Sequence, residues 1–144
     1  MAEKYDCLKL ENQICFPLYA ASREIIKKYH PFLEELELTY TQYIVMMVFW
    51  EEESISVKDL GKKLFLDSGT LTPVLKSLEV KGLVKRERSK EDERVVIAHI
   101  TEDGLKMREK AVEIPVKMQG CANISSEEAA ELYRILHKML GDEM

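Results

Sequence analysis

Hydrophobic residues recur at helical spacing along most of the chain. Leu10, Ile14, Leu18, Ala21 and Ile25 fall three or four apart and predict a first amphipathic helix of about five turns that ends near Tyr29, His30 and Pro31. Pro17 falls inside that pattern, where a proline removes a backbone donor and crowds the preceding turn. The helix is therefore expected to kink there, or to begin its regular part near Asn12, which can cap it. Thr39 followed by Gln42 reads as a capping box. Behind it, the apolar run from Tyr43 to Trp50 is too long and too Met-rich for a strand and predicts a buried helix.

From Ser56 to Ser89 the pattern tightens. Ser56 with Asp59 signals an N-cap, and Leu60 and Leu64 mark the inner face of a short helix. Asp67, Ser68, Gly69 and Thr70 supply turn and capping chemistry. Leu71, Val74, Leu75 and Leu78 then follow at i, i+3, i+4 and i+7 on a second helix, which tolerates Pro73 near its start and which Gly82 closes. Two short helices joined by a few turn residues form a helix-turn-helix, with Ser68, Thr70, Thr72, Lys76 and Ser77 off the apolar face of the second. After it, "LVKRERS" and "RVVIAHIT" alternate or run β-branched around the polar "KEDE", which predicts a hairpin. The fold expected is mainly α with a small β-hairpin wing.

Thr101 starts a further helix carrying Leu105, Ala111 and Val112, bent or ended at Pro115. Ser125 with Glu128 is another capping box, ahead of Ala129, Leu132, Leu136 and Met139 on a final amphipathic helix. The whole, residues 1–144, reads as one domain: a winged helix-turn-helix over 55–101, flanked by helices over 8–31 and 102–141 whose apolar faces need a partner. A second copy is the natural one, because two-fold dimers match palindromic DNA half-sites.

Composition sharpens this reading. The net charge of −5 argues against nucleic acid only until it is mapped: residues 56–94 hold ten Lys/Arg against seven Asp/Glu, and the rest hold eleven against nineteen. One face of the protein can thus meet a polyanion while the remainder stays acidic. Arg86, Arg88, Lys90 and Arg94 give the wing its positive charge, although Glu87, Glu91, Asp92 and Glu93 nearly cancel it. Ser68, Gly69, Thr70, Thr72, Lys76, Arg86 and Arg94 are the residues expected at DNA, with Asp92 orienting Arg94. No apolar stretch reaches membrane-spanning length and the N-terminus lacks an apolar signal core, so a cytoplasmic protein without a membrane partner is expected. Cys7, Cys15 and Cys121 are too few and too irregular for a disulfide scaffold or a zinc site. Neither metal nor cofactor is expected, and the cysteines are either inert core thiols or redox groups.

Two stretches carry a family resemblance. "FLDSGTLTPVLKSLEVKGLVKRERSKEDERVVIAHITEDG" resembles the DNA-binding core of the MarR winged-helix regulators, including an Asp-x-Arg wing signature at Asp92 and Arg94. "LENQICFPLYAASREI" resembles the first helix of the organic-hydroperoxide-sensing branch, the OhrR repressors. Together they cover roughly Leu8 to Val116. The resemblance implies a homodimeric repressor that binds a pseudopalindromic operator as double-stranded DNA and leaves it when Cys15 is oxidised by an organic hydroperoxide. It also implies that Cys15 is held by Tyr29 and Tyr40 of the facing subunit, with Tyr19 a further member. Cys121 lies where two-cysteine members carry a resolving thiol, and Cys7 matches no family role.

The chemistry gives that arrangement a reason. An ordinary thiol is already a few per cent ionised near neutrality, so acidity alone changes reactivity by only about tenfold. Selective sensing also needs neutral hydroxyl donors around the sulfur and an apolar wall for the hydrocarbon of the peroxide, for which Phe16, Leu18, Met46 and Phe49 are expected. Three alternatives stay open on the residues alone: a repressor released by a small aromatic ligand with Cys15 as packing, a thiol peroxidase, and a winged-helix interaction module without operator affinity.

Overall fold

The computed structural model describes residues 3–141; the remaining ends of the span 1–144 lie outside the described residues. Two short 3-10 turns at Asp6–Leu8 and Leu10–Asn12 precede helices α1 (Cys15–Glu35) and α2 (Tyr40–Glu52). Strand β1 (Ser54–Ser56), helices α3 (Val57–Leu64) and α4 (Ser68–Val80), and strands β2 (Val84–Arg88) and β3 (Val96–Ile100) follow. Helices α5 (Glu102–Ala111), α6 (Glu113–Lys117) and α7 (Ser126–Leu140) complete the order.

Two expectations for α1 are corrected. Cys15 itself opens the helix, behind an Ile14 N-cap without a capping side chain, so Pro17 is the third helical residue. There a missing N–H costs nothing, because the first turn has no intrahelical acceptor for it. Asn12 does not cap: its amide donates to the Asp6 carbonyl at 2.7 Å. Nor does the helix stop near Pro31. It runs on to Glu35, because the next turn carries the core side chain Leu33 and half-buried Phe32, and Leu36 behind them is buried too. That packing outweighs the roughly 3 kcal/mol cost of an internal proline.

Helix α2 is the centre of the molecule. The Thr39 and Gln42 capping box forms in full, and Gln42, Tyr43, Val45, Met46, Val48 and Phe49 are all buried, which is why the run shows no polar stripe. Around it pack Leu60 of α3, Leu71, Leu75 and Leu78 of α4, Val84 and Ala98 of the sheet, and Ala111 and Ile114 beyond. The helix-turn-helix closes as its sequence predicts. The Ser56 hydroxyl accepts from the Asp59 N–H at 3.1 Å and the Asp67 carboxylate from the Thr70 N–H at 2.8 Å.

The hairpin β2–β3 forms, and β3 also pairs with β1 on its other side, giving the antiparallel order β1-β3-β2. His99 ties all three strands: its Nδ1 shares a 2.5 Å hydrogen bond with the Ser54 hydroxyl, and its Nε2 lies 2.9 Å from Glu87 Oε1. The sequence pattern missed β1, since three residues are too short to show an alternation.

Where the wing returns to the body, Gly104 is locked between elements. Thr101 caps α5 by accepting from the Gly104 N–H, and Trp50 Nε1 donates to the Gly104 carbonyl at 2.9 Å. A Cβ at this position would stand 2.5 Å from the Leu83 carbonyl oxygen and 2.6 Å from Ile100 Cγ1. Gly104→Ala is therefore expected to lower stability by about 2–3 kcal/mol, the usual overpacking cost. Thermal melting followed by circular dichroism checks it. Gly69→Ala, whose Cβ would meet only Asp67 Oδ1 at 3.4 Å, should leave the melting temperature within a few degrees of the parent.

Helix α7 has no buried residue despite its apolar stripe, and the first half of α1 is equally open. Leu132, Ile135 and Met139 are 43%, 40% and 59% exposed, as Phe16 and Leu18 are at 44% and 38%. Apolar faces of this extent on two helices mark an interaction surface.

Candidate functional site

On α4 the residues divide cleanly. Leu71, Leu75 and Leu78 point inward, whereas Ser68, Gly69, Thr70 and Lys76 are exposed and Thr72 is half-buried. Hydrogen bonds from the Thr70 and Gly69 N–H groups hold the Asp67 carboxyl below its ordinary range, so the cap stays ionised. Pro73 cannot donate to the Gly69 carbonyl, which leaves that exposed first turn with one acceptor the helix does not use.

At the wing tip Asp92 holds Arg94 as a fork: Arg94 Nε and Nη2 donate to the two carboxylate oxygens at 3.1 and 3.2 Å, and the Arg94 N–H adds a third bond at 3.1 Å. The Arg94 side chain is nevertheless 91% exposed. These bonds keep the Asp92 carboxyl ionised to lower pH than usual. Arg86 behaves differently. Its guanidinium is paired with Glu79 of α4 and is mostly covered, so it braces strand β2 against that helix rather than facing outward. Arg88 is also engaged, donating to the Glu93 carbonyl at 2.9 Å.

The thiols and tyrosines fall into two groups. Tyr29 and Tyr40 pack with ring centroids 5.2 Å apart and planes tilted by 55°, and Tyr43 joins them at 5.8 and 6.2 Å. Half-buried Cys121 adjoins this cluster: Lys28 Nζ donates to its carbonyl at 2.5 Å, and its sulfur acts on the neighbouring Tyr29. Burial raises all three phenols, with Tyr43 pushed up to about 12 by burial and then by Tyr29 and Tyr40. All three are therefore neutral O–H donors at any physiological pH.

Cys15 is elsewhere. It is exposed at the opposite end of α1, about 21 Å along the axis from Tyr29 at the rise of an α-helix. Tyr19 is at that same end, one turn on, its hydroxyl accepting from Arg23 at 3.4 Å and its ring facing that guanidinium. Within one chain, then, Tyr29, Tyr40 and Cys121 come together and Cys15 and Tyr19 stand apart from them. Tyr43 was missed, although its spacing of three from Tyr40 puts both on one helix face. The apolar wall needs correction. Met46 and Phe49 are fully enclosed in the core, on the faces of α2 that meet the other elements, so only Phe16 and Leu18 are available beside Cys15. Among the described residues no group of three or more His, Cys, Asp or Glu side chains is arranged to hold a metal ion, and no helix is long and apolar enough to cross a membrane.

Comparison with known proteins decides the family. The chain is 49% identical over 140 residues to the organic hydroperoxide resistance transcriptional regulator of Bacillus subtilis, covering 97% of this chain and 95% of that one. The protein belongs to the MarR family, in its OhrR branch. Residues 27–111 also match the model of the SarA/Rot transcriptional regulators. Among solved structures, AbfR of Staphylococcus epidermidis is similar. Its reduced form bound to DNA aligns over 96% of this chain and 97% of its own with 34% identity and a TM-score of 0.78. The overoxidised form, also on DNA, gives the same score over 96% and 98%. The disulfide form gives 0.66 at 34% identity over 95% and 96%. The expected mainly helical fold with a winged helix-turn-helix is thus the observed one, and the relatives of this MarR-type chain are named as transcriptional regulators.

Proposed function

We propose that the protein is a cytoplasmic homodimeric repressor that leaves its operator when Cys15 is oxidised by an organic hydroperoxide and joined to Cys121 of the partner subunit. One observation carries this reading: the sulfur opens α1, the hydroxyl cluster gathers around Tyr29 far along the same helix, and the apolar face between them is uncovered. A second chain packed two-fold along α1 and α7 brings each Cys15 to the other chain's Tyr29, Tyr40 and Cys121. Residues 8–31 and 102–141 supply the dimer helices and 55–101 the DNA-binding unit.

The Cys15 thiolate attacks the distal peroxide oxygen, the O–O bond breaks, and the departing alkoxide takes a proton to leave as the alcohol, with sulfenic acid on Cys15. Tyrosine O–H groups hold both oxygens, and Tyr19 closes the site from its own side. The thiol of Cys121 then displaces the sulfenic oxygen as water and an S–S bond forms. AbfR on DNA in its overoxidised form supports giving release to this disulfide rather than to oxygen on sulfur alone. At the operator, Ser68, Gly69, Thr70, Thr72 and Lys76 face the major groove and Arg94, steered by Asp92, the backbone beside it. Arg86 serves this indirectly by fixing the wing to α4. The two reading helices must stand about 34 Å apart to reach successive grooves, so a rotation of either unit loses both contacts.

Fluorescence anisotropy on DNA upstream of the protein's own gene, before and after one equivalent of cumene hydroperoxide per subunit, tests this. Release with a covalent dimer on a non-reducing gel, and consumption of a single peroxide per subunit, supports the reading. Unchanged binding by a fully oxidised protein overturns it, and multiple turnovers would identify a thiol peroxidase.

A further inference from the structure

The sensing cluster and the reading helix share one turn of α2. Tyr40 and Tyr43 lie about 60° apart on one side of it, and Gln42, about 200° round from Tyr40 and about 100° from Tyr43, points away from them toward α4. Gln42 is almost fully buried at 7% exposure. Its Nε2 donates to the Ser77 hydroxyl of α4 at 2.6 Å, while its Oε1 accepts from the Thr39 N–H at 2.9 Å and from Lys81 Nζ at 3.1 Å. Lys81, the C-cap of α4, also donates to the Glu37 carbonyl in the α1–α2 corner. One buried amide thus holds together the corner after α1, the first turn of α2 and the last turn of the reading helix.

We propose that Gln42 is the positioning residue that carries the oxidation of Cys15, felt at the tyrosine cluster, to α4 through its bond to Ser77. The proposal rests on the redox reading above. When a disulfide is drawn in against Tyr29 and Tyr40, the first turn of α2 must give way, since the rings pack at centroid distances of 5.2 to 6.2 Å. A buried amide cannot trade its partners for water without a desolvation penalty. Ser77 and the C-terminal end of α4 therefore move with Gln42, and the exposed first turn of α4 swings relative to its groove. The apolar contacts of Leu71, Leu75 and Leu78 seat the helix in its reduced-state position; the amide passes on the shift that oxidation imposes.

The test uses the full-length dimer and the ratio of operator Kd in the oxidised and reduced states. Ser77→Ala cuts the bond to α4 and leaves the Thr39 and Gln42 cap whole; Gln42→Met removes the amide at similar volume. Both variants are expected to bind DNA in the reduced state within a few-fold of the parent and to oxidise Cys15 at the parent rate, measured by intact mass. Their oxidised-to-reduced Kd ratio should fall by about tenfold, within the usual range of coupling between sites. A role confined to folding would weaken both states together and leave the ratio untouched. If the parent releases DNA on oxidation and both variants keep its ratio, the assignment to Gln42 is wrong while the redox reading stands. If the oxidised parent itself stays bound, both fall.

Discussion

Cys15→Ser is expected to bind the operator with the affinity of the parent and to remain bound after cumene hydroperoxide. Serine keeps the size and the helix-terminal chemistry of position 15, where the side chain packs on nothing in its own chain and a hydroxyl can still meet the hydroxyls of a partner, so the reduced state is undisturbed. What it removes is the sulfur proposed to react with the peroxide. The other thiols are poor substitutes: Cys7 is exposed in a short 3-10 turn ahead of α1, and Cys121 is half-buried beside phenols of its own chain. Cys121→Ser separates the two steps. It should acquire oxygen on Cys15 yet form no covalent dimer and stay on DNA in the absence of small thiols. A Cys15–Cys121 disulfide, as proposed, would run between chains, because Lys28, which binds the Cys121 carbonyl, lies about 20 Å up the helix from Cys15, and a disulfide needs Cα atoms within about 7 Å. Intact-mass spectra and non-reducing gels, read alongside anisotropy, distinguish the steps. Release of Cys15→Ser by peroxide would assign sensing to another thiol.

The parts of this machine that were legible in the sequence are those set by local chemistry. Thr39 with Gln42 and Ser125 with Glu128 form the capping boxes they spell, and the leucines of α4 face inward at helical spacing. What escaped were the places where packing overrides local preference or where distance along the chain hides proximity. Pro31 breaks helices in isolation, but the buried Leu33 beyond it holds α1 together. Met46 and Phe49 look like a fitting lining for a hydrocarbon pocket, and periodicity cannot tell such a lining from the buried faces of a core helix. The capping box correctly located Gln42 at a helix start; nothing local discloses that the same amide spans to Ser77 of α4. Arg86 counted as wing charge until Glu79, seven residues earlier, came to lie against it. The proposed sensor is legible least of all, because within one chain Cys15 lies far along α1 from Tyr29, Tyr40 and Cys121.

Arg94→Ala is expected to weaken operator binding by about a hundredfold, since two-fold symmetry removes the contact from both half-sites at once. The geometry favours so large an effect. Of the wing's cations, Arg86 and Arg88 are already committed to Glu79 and to the Glu93 carbonyl, whereas Arg94 is held in place by a neighbour yet remains open to solvent. Preorganisation of this kind spares the ordering entropy that a free arginine loses on meeting a phosphate. It also specifies a second variant. Asp92→Ala leaves the cation and removes its tether, so affinity should fall less than in Arg94→Ala, with nearly the parent dependence on salt. In Arg94→Ala two phosphate contacts per dimer are gone, and the slope of log K against log salt should shrink by about two. Anisotropy over a salt series separates the two variants. A parent-like slope for Arg94→Ala would mean that this arginine never reaches the backbone, and the fork would then serve only to shape the hairpin tip.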